Sequence, residues 1–227
     1  MNELLLYHGS DHIVSQPKYG LGRPNNDYGR GFYCSQSHDL AMEWAVDEDR
    51  DGFCNSYMLS LDGLSILKLN RKGFSALNWL AILVENRRFE LDSPLERAAK
   101  EYLHAHFLPK DYRSYDLIIG YRADDSYFGF ASRFLQGGYS LRQLSYALKL
   151  GKLGEQVVLI SRKAFEQISF LGYEEAKRED YLEKKRKRDH LARVYFRASR
   201  GWEFIPGDIY IQDIMRVGMQ HGDPRLF

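Results

Sequence analysis

Apolar residues come in short runs along this chain, and their spacing changes between strand-like and helical. Leu4-Leu5-Leu6-Tyr7 breaks at His8-Gly9-Ser10, which predicts a buried strand ending in a turn. A stretch rich in Gly, Pro and Asn follows, and Gly29-Arg30-Gly31-Phe32-Tyr33-Cys34-Ser35 then predicts a glycine-hinged second strand. Ser37-His38-Asp39 offers helix-capping chemistry, with Leu40, Ala41, Trp44 and Ala45 at helical spacing behind it. Phe53–Leu61 and Ser65–Leu69 read as strands around a turn at Asp62-Gly63. The spacing is helical over Ser75–Val84, over Pro94–Phe107 with proline in the first turn, and over Leu141–Leu150. Tyr115–Gly120 and Gln156–Ile160 complete the predicted strands. Strands and helices interleave without a βαβ rhythm, which predicts an α+β fold in one compact domain.

Composition narrows the function classes. The 227 residues include 32 Lys or Arg and 31 Asp or Glu, so a globally basic nucleic-acid binder and an acidic tail both fit poorly. Sixteen tyrosines and thirteen phenylalanines suit a half-wet core or a cleft that stacks planar ligands. Cys34 and Cys54 make neither a disulfide framework nor a zinc-ligand spacing. The start Met1-Asn2-Glu3 has no basic region followed by an apolar one, and the longest apolar runs reach about half of the roughly 20 residues a bilayer span needs. A cytoplasmic protein without membrane association is expected. Residues 174–200 stand apart, with ten Lys or Arg against six acidic residues. They divide the chain into an expected 1–173 ligand-binding domain and a basic helical 174–227 extension packed on it. The extension is expected to form a surface element outside the cleft.

Three fragments carry chemistry: Tyr7-His8-Gly9-Ser10; Asp27-Tyr28-Gly29-Arg30-Gly31-Phe32-Tyr33 with Trp44 eleven residues after Tyr33; and Gly154-Glu155-Gln156 opening a late apolar strand. Their order and form resemble the PARP and diphtheria-toxin branch of the ADP-ribosyltransferases. The resemblance covers residues 4 to about 170 and is nearest to an uncharacterised bacterial, toxin-like subfamily, whose Ala-Asp-Asp motif is matched by Ala123-Asp124-Asp125.

The resemblance implies an ADP-ribosyltransferase-like α+β fold of two packed, mainly antiparallel sheets with flanking helices, with NAD as a substrate and no metal. Gly9 would hold the nicotinamide carboxamide, His8 the adenosine ribose and Ser10 the ligand or its loop. Tyr33 and Trp44 would bracket the nicotinamide, while Arg30 in the Gly29–Gly31 hinge would face a phosphate. The catalytic position, a Glu in the wider branch, is open between Glu155 and Gln156, which face opposite sides of a strand; the subfamily favours Gln156. Asp124 and Asp125 read either as a solvated turn or as supplementary acids near the cleft. The implied activity is mono-ADP-ribosyl transfer to a protein or nucleic acid, by a toxin with a small antitoxin protein as partner. NAD hydrolysis and a non-catalytic NAD- or nucleic-acid-binding module are the alternatives.

Overall fold

The computed structural model describes residues 2–122, 125–148, 154–199 and 204–227. The opening apolar run becomes β1 (Glu3–Ser10), followed by β2 (Phe32–Ser35), α1 (His38–Ala45), β3 (Gly52–Ser60) and β4 (Ile66–Lys68). Helices α2 (Ala76–Asn86) and α3 (Pro94–Phe107) precede β5 (Leu117–Tyr121), α4 (Asp125–Leu135) and α5 (Leu141–Ala147). The chain continues through β6 (Glu155–Leu159), α6 (Arg162–Glu166), β7 (Ile168–Ala176), α7 (Arg178–Ser199) and α8 (Ile211–Val217). The fold is α+β, and no helix among the described residues is long and apolar enough to cross a membrane.

The strands form one seven-stranded sheet, β4-β5-β6-β2-β1-β3-β7, antiparallel except for the β4–β5 pair. This corrects the expectation of two packed sheets: β2 pairs with β6 on one side and β1 on the other, which makes the sheet continuous. β1 pairs with β3 along its whole length but meets β2 at a single position, Tyr7 opposite Ser35. The halves β4-β5-β6-β2 and β1-β3-β7 are therefore joined at one point. Asp62-Gly63 does not close a hairpin: β1 and β7 flank β3, and β4 is carried to the far edge beside β5. The boundary expected at 173/174 falls inside β7.

Three apolar clusters are formed by the described residues, the smallest by Ala41, Met42, Ala45, Val46, Cys54 and Ala176. Leu77 to Val84 of α2 are buried without exception, as expected for a helix that is apolar all round. They pack with Leu103 and Phe107 of α3, Phe130 and Phe134 of α4, and Ile211 and Ile214 of α8. Ser93 starts α3 with a capping box: its hydroxyl accepts from Glu96 N at 3.2 Å, and the Glu96 carboxylate accepts from Ser93 N at 2.7 Å. Leu6, Cys34, Tyr57, Leu59, Val157 and Leu159 make the second core.

Candidate functional site

A cavity of about 1260 Å³ opens beside the point where β1 and β2 part. His8, Gly9, Ser10, Tyr33, Trp44 and Gln156 all line it. The sheet order makes this convergence simple: β1, β2 and β6 are consecutive strands, with Tyr7 opposite Ser35 and Ser35 opposite Gln156. Neighbouring strands lie about 4.8 Å apart, so residues on β1 and β6 are roughly 10 Å apart.

His8 replaces the ladder that β1 and β2 do not form, since its Nδ1 sits 2.7 Å from Tyr33 O. A carbonyl only accepts, so Nδ1 carries the proton and a neutral ring presents Nε2 as an acceptor. Burial lowers the His8 pKa, outweighing the opposing effect of the Tyr33 carbonyl, and His12 adds a smaller lowering. The ring also packs against Phe32, tilted by 39° with centroids 4.4 Å apart. The Tyr33 hydroxyl donates to Gly29 O at 2.6 Å and accepts from Tyr28 N at 3.1 Å. Burial pushes its pKa far up, so it is a neutral phenol that braces the glycine hinge.

Gln156 is 6% exposed, and its Oε1 has no hydrogen-bond partner. A buried amide oxygen left without a donor costs about 1–3 kcal/mol, so Gln156 stands in the cavity wall with its hydrogen-bonding capacity unmet. The neighbouring Glu155 is outside the cavity lining: its carboxylate takes a hydrogen bond from Asn70, and its backbone pairs with Tyr121. The pleat resolves the choice between the two in favour of Gln156 as the cavity residue.

One expectation changes, and two residues show further contacts. Arg30 is exposed, donates to Gly20 O at 2.8 Å and is not part of the lining; it ties the 11–31 loop to itself. Gly9 has a reason other than room for a ligand: a Cβ there would stand 2.0 Å from Ala41 O and 2.7 Å from Ala45 N, so α1 leaves no space for one. Ser10 serves the loop, donating to His12 O and accepting from Asn55 Nδ2 at 3.0 Å. Gly31 lines the cavity, and a Cβ there would collide with Leu159 O at 2.8 Å. One face of the Trp44 ring carries the Arg122 guanidinium at 3.6 Å. Asp124 and the side chain of Asp125 lie outside the described residues.

The basic tail is not remote from the cleft. Lys185, Arg188, Asp189 and Arg193 of α7 form part of the cavity wall. Arg188 grips Glu43 of α1 with two bonds of 2.8 Å, Nε to Oε2 and Nη2 to Oε1, and Glu43 is only 2% exposed. Lys185 Nζ donates to Val46 O at 2.8 Å. The run Lys184–Arg188 is thus divided by helical geometry, with Lys185 and Arg188 turned inward and Lys184, Arg186 and Lys187 exposed.

Residue-by-residue reading of the sequence missed Asn55, which is fully buried on β3. Its Oδ1 accepts from Val14 N at 2.8 Å, while Nδ2 donates to His8 O at 3.2 Å and to Ser10 Oγ at 3.0 Å. One amide thus fastens the loop after β1 over the cavity. An Asn inside an alternating strand, where an apolar residue belongs, was the available signal.

No curated protein and no solved structure matches the chain. Residues 4–170 match a family described as protein of unknown function (DUF3990), a span that holds His8, Tyr33, Trp44 and Gln156 and ends before α7. With most of its length inside that match, the chain belongs to the DUF3990 family.

Proposed function

We propose that the protein is a NAD-dependent mono-ADP-ribosyltransferase of the PARP and diphtheria-toxin type, a toxin that acts on a macromolecule and is held in check by a small antitoxin protein. The observation that carries the reading is the unpartnered Gln156 Oε1, buried in the cavity that also takes His8, Tyr33 and Trp44.

In this reading Gln156 accepts a hydrogen bond from a hydroxyl of the nicotinamide ribose and fixes the ring that reacts. Its oxygen turns a dipole toward the positive charge that develops there; it supplies no full negative charge. Neutral His8 accepts a ribose hydroxyl at Nε2, and Tyr33 with the remaining face of Trp44 holds the nicotinamide, each stack worth on the order of 1 kcal/mol beyond its buried area. The bond between ribose C1′ and the nicotinamide nitrogen breaks, and nicotinamide leaves neutral with the electron pair. The acceptor's nucleophilic atom bonds to C1′ and gives its proton to water.

Incubation with NAD labelled in the adenylate, together with bacterial lysate, tests this directly. Label on macromolecules with nicotinamide released in step is the expected result. Nicotinamide release with free ADP-ribose alone means NAD hydrolysis, and NAD binding without release means a binding module; either overturns transfer.

A further inference from the structure

The cavity exceeds the roughly 300–1,000 Å³ typical of a site for one small ligand. Among the described residues, eight Lys or Arg and four Asp or Glu line it. Three of those carboxylates are engaged within the lining: Asp11 with Arg50 at 3.1 Å, Asp27 with Arg87 at 3.6 Å and Glu43 with Arg188 at 2.8 Å. Beyond these pairs the lining adds Lys18 and Arg23 from the loop, Arg122 on the Trp44 ring, and Lys185 and Arg193 from α7, with Asp189 as the further carboxylate. Lys185, Asp189 and Arg193 follow one another at four-residue spacing, a row about 12 Å long on one helix face. A diphosphate carries two negative charges, and the surplus of cations in the lining is larger than that. Aromatic rings share the same cavity: Phe32 against His8 at 4.4 Å, Phe165 at 6.2 Å from Phe32, and Trp44.

We infer that the α7 wall and the 11–31 loop bind the phosphate backbone of a single-stranded nucleic acid, with an unpaired base entering the cavity as the acceptor. The inference rests on the transfer reading above and names its acceptor class. Cations that track a backbone beside aromatic rings are the combination that binds single strands, whereas an acidic peptide would leave the rings unused. A duplex is excluded by depth, because Gln156 lies on the cavity floor at 6% exposure and a paired base cannot reach it. α7 lies outside the residues that match the family, so this wall is an addition of the chain's C-terminal part.

The test is fluorescence anisotropy with labelled 12-nucleotide single-stranded RNA and DNA, their duplexes and a polyglutamate peptide, each across a salt series. Single strands are expected to bind tighter than duplexes and polyglutamate. Lys185→Ala with Arg193→Ala should weaken single-strand binding on the order of tenfold and flatten the salt slope by about 1.4, or 0.7 for each lost phosphate contact. Lys184→Ala with Lys187→Ala removes equal charge from the outer face of α7 and should leave the single-strand affinity within about twofold. Equal losses in both double variants, tighter binding of duplex or polyglutamate, or no binding would overturn the inference. Nicotinamide release by the unmodified protein separates the two failures. Release without single-strand binding sinks the acceptor class alone, and cavity-dependent strand binding without release sinks the transfer reading. Of the two strands, the one that binds tighter identifies RNA or DNA.

Discussion

His8 Nδ1 and the backbone carbonyl of Tyr33 stand 2.7 Å apart, bridging β1 to β2 just where the two strands stop pairing. A side chain thus closes the sheet where the backbone opens it, and the opening is the cavity. The bond fixes the tautomer of the ring, and burial keeps the ring neutral.

Acid should act on this bridge. Burial lowers the His8 pKa below its ordinary 6.5, so the folded chain resists a proton that the unfolded chain accepts. The His8 contribution to stability is complete above pH 6.5 and is lost as the pH falls through the lowered value. Denaturant unfolding at pH 7.5 and pH 5 should show a loss of stability in the unmodified protein that is smaller in His8→Gln. Nucleotide binding should fall over the same window, because the imidazolium has no acceptor nitrogen. An equal pH loss in both proteins would assign the effect to other groups.

Gln156→Ala should abolish nicotinamide release with an unchanged circular dichroism spectrum, while Glu155→Ala, which loses a contact outside the cavity to Asn70, should keep most of it. Gln156→Glu is the sharper variant. On the transfer reading it places a charge next to the developing cation and should raise release by at least tenfold, at a stability cost of several kcal/mol for burying a carboxylate. Faster loss in Glu155→Ala than in Gln156→Ala would move the register by one residue.

The Glu43–Arg188 clamp should dominate the docking of α7. Arg188→Ala leaves Glu43 charged and buried, and removing one partner of such a pair costs about 3–5 kcal/mol, here toward the lower figure because Arg188 is a quarter exposed. For a chain of this length that lowers the melting temperature by roughly 6–12 °C. Glu43→Leu combined with Arg188→Met should recover most of it. A double variant no more stable than Arg188→Ala would mean that the pair is not coupled.

How far the sequence foretold this molecule depended on the kind of information each residue carried. His8, Tyr33, Trp44 and Gln156 were legible because each sits at a strand end or on the helix behind one, where local pattern and motif coincide. β7 was not: its apolar alternation runs into Glu174-Glu175, and an edge strand with exposed Leu171 and Tyr173 resembles a polar tail. β4 was seen as a strand, but its parallel partner is a long-range choice that a turn at Asp62-Gly63 does not encode. The helix α7 was visible in composition, but not its docking. A helix charged all round shows no face to bury, and the carboxylate that selects the face lies 145 residues away at Glu43. Arg30 misled because a glycine-flanked Arg suits a phosphate and a loop carbonyl equally well.

Both cysteines should be inert in the folded protein. Burial raises the Cys34 thiol far up and the Cys54 thiol to about 12, so neither supplies thiolate at neutral pH. Ellman's reagent should titrate no thiol in native buffer and two in denaturant. A thiol that reacts within seconds in native buffer would show that the core around β1, β2 and β3 opens readily.

Asn55 gives the last test, and it separates loop order from chemistry. Its amide satisfies Val14 N, His8 O and Ser10 Oγ at once, fastening residues 11–14 beside β1. Asn55→Leu keeps the volume and leaves those backbone groups without their partner, a loss of about 1–3 kcal/mol. The loop then samples other positions and must be ordered again when a ligand binds. Its cost falls on binding, since a site that is competent for only a fraction of the time binds more weakly by that fraction. The expected result is a KM for NAD raised about tenfold with kcat within about twofold, together with faster proteolysis between residues 11 and 23. Asn55→Asp, which keeps the acceptor for Val14 N but loses the donor to His8 O and Ser10 Oγ, should fall between the two. A kcat loss without a KM change would place Asn55 with the reacting groups instead of with the loop that covers them.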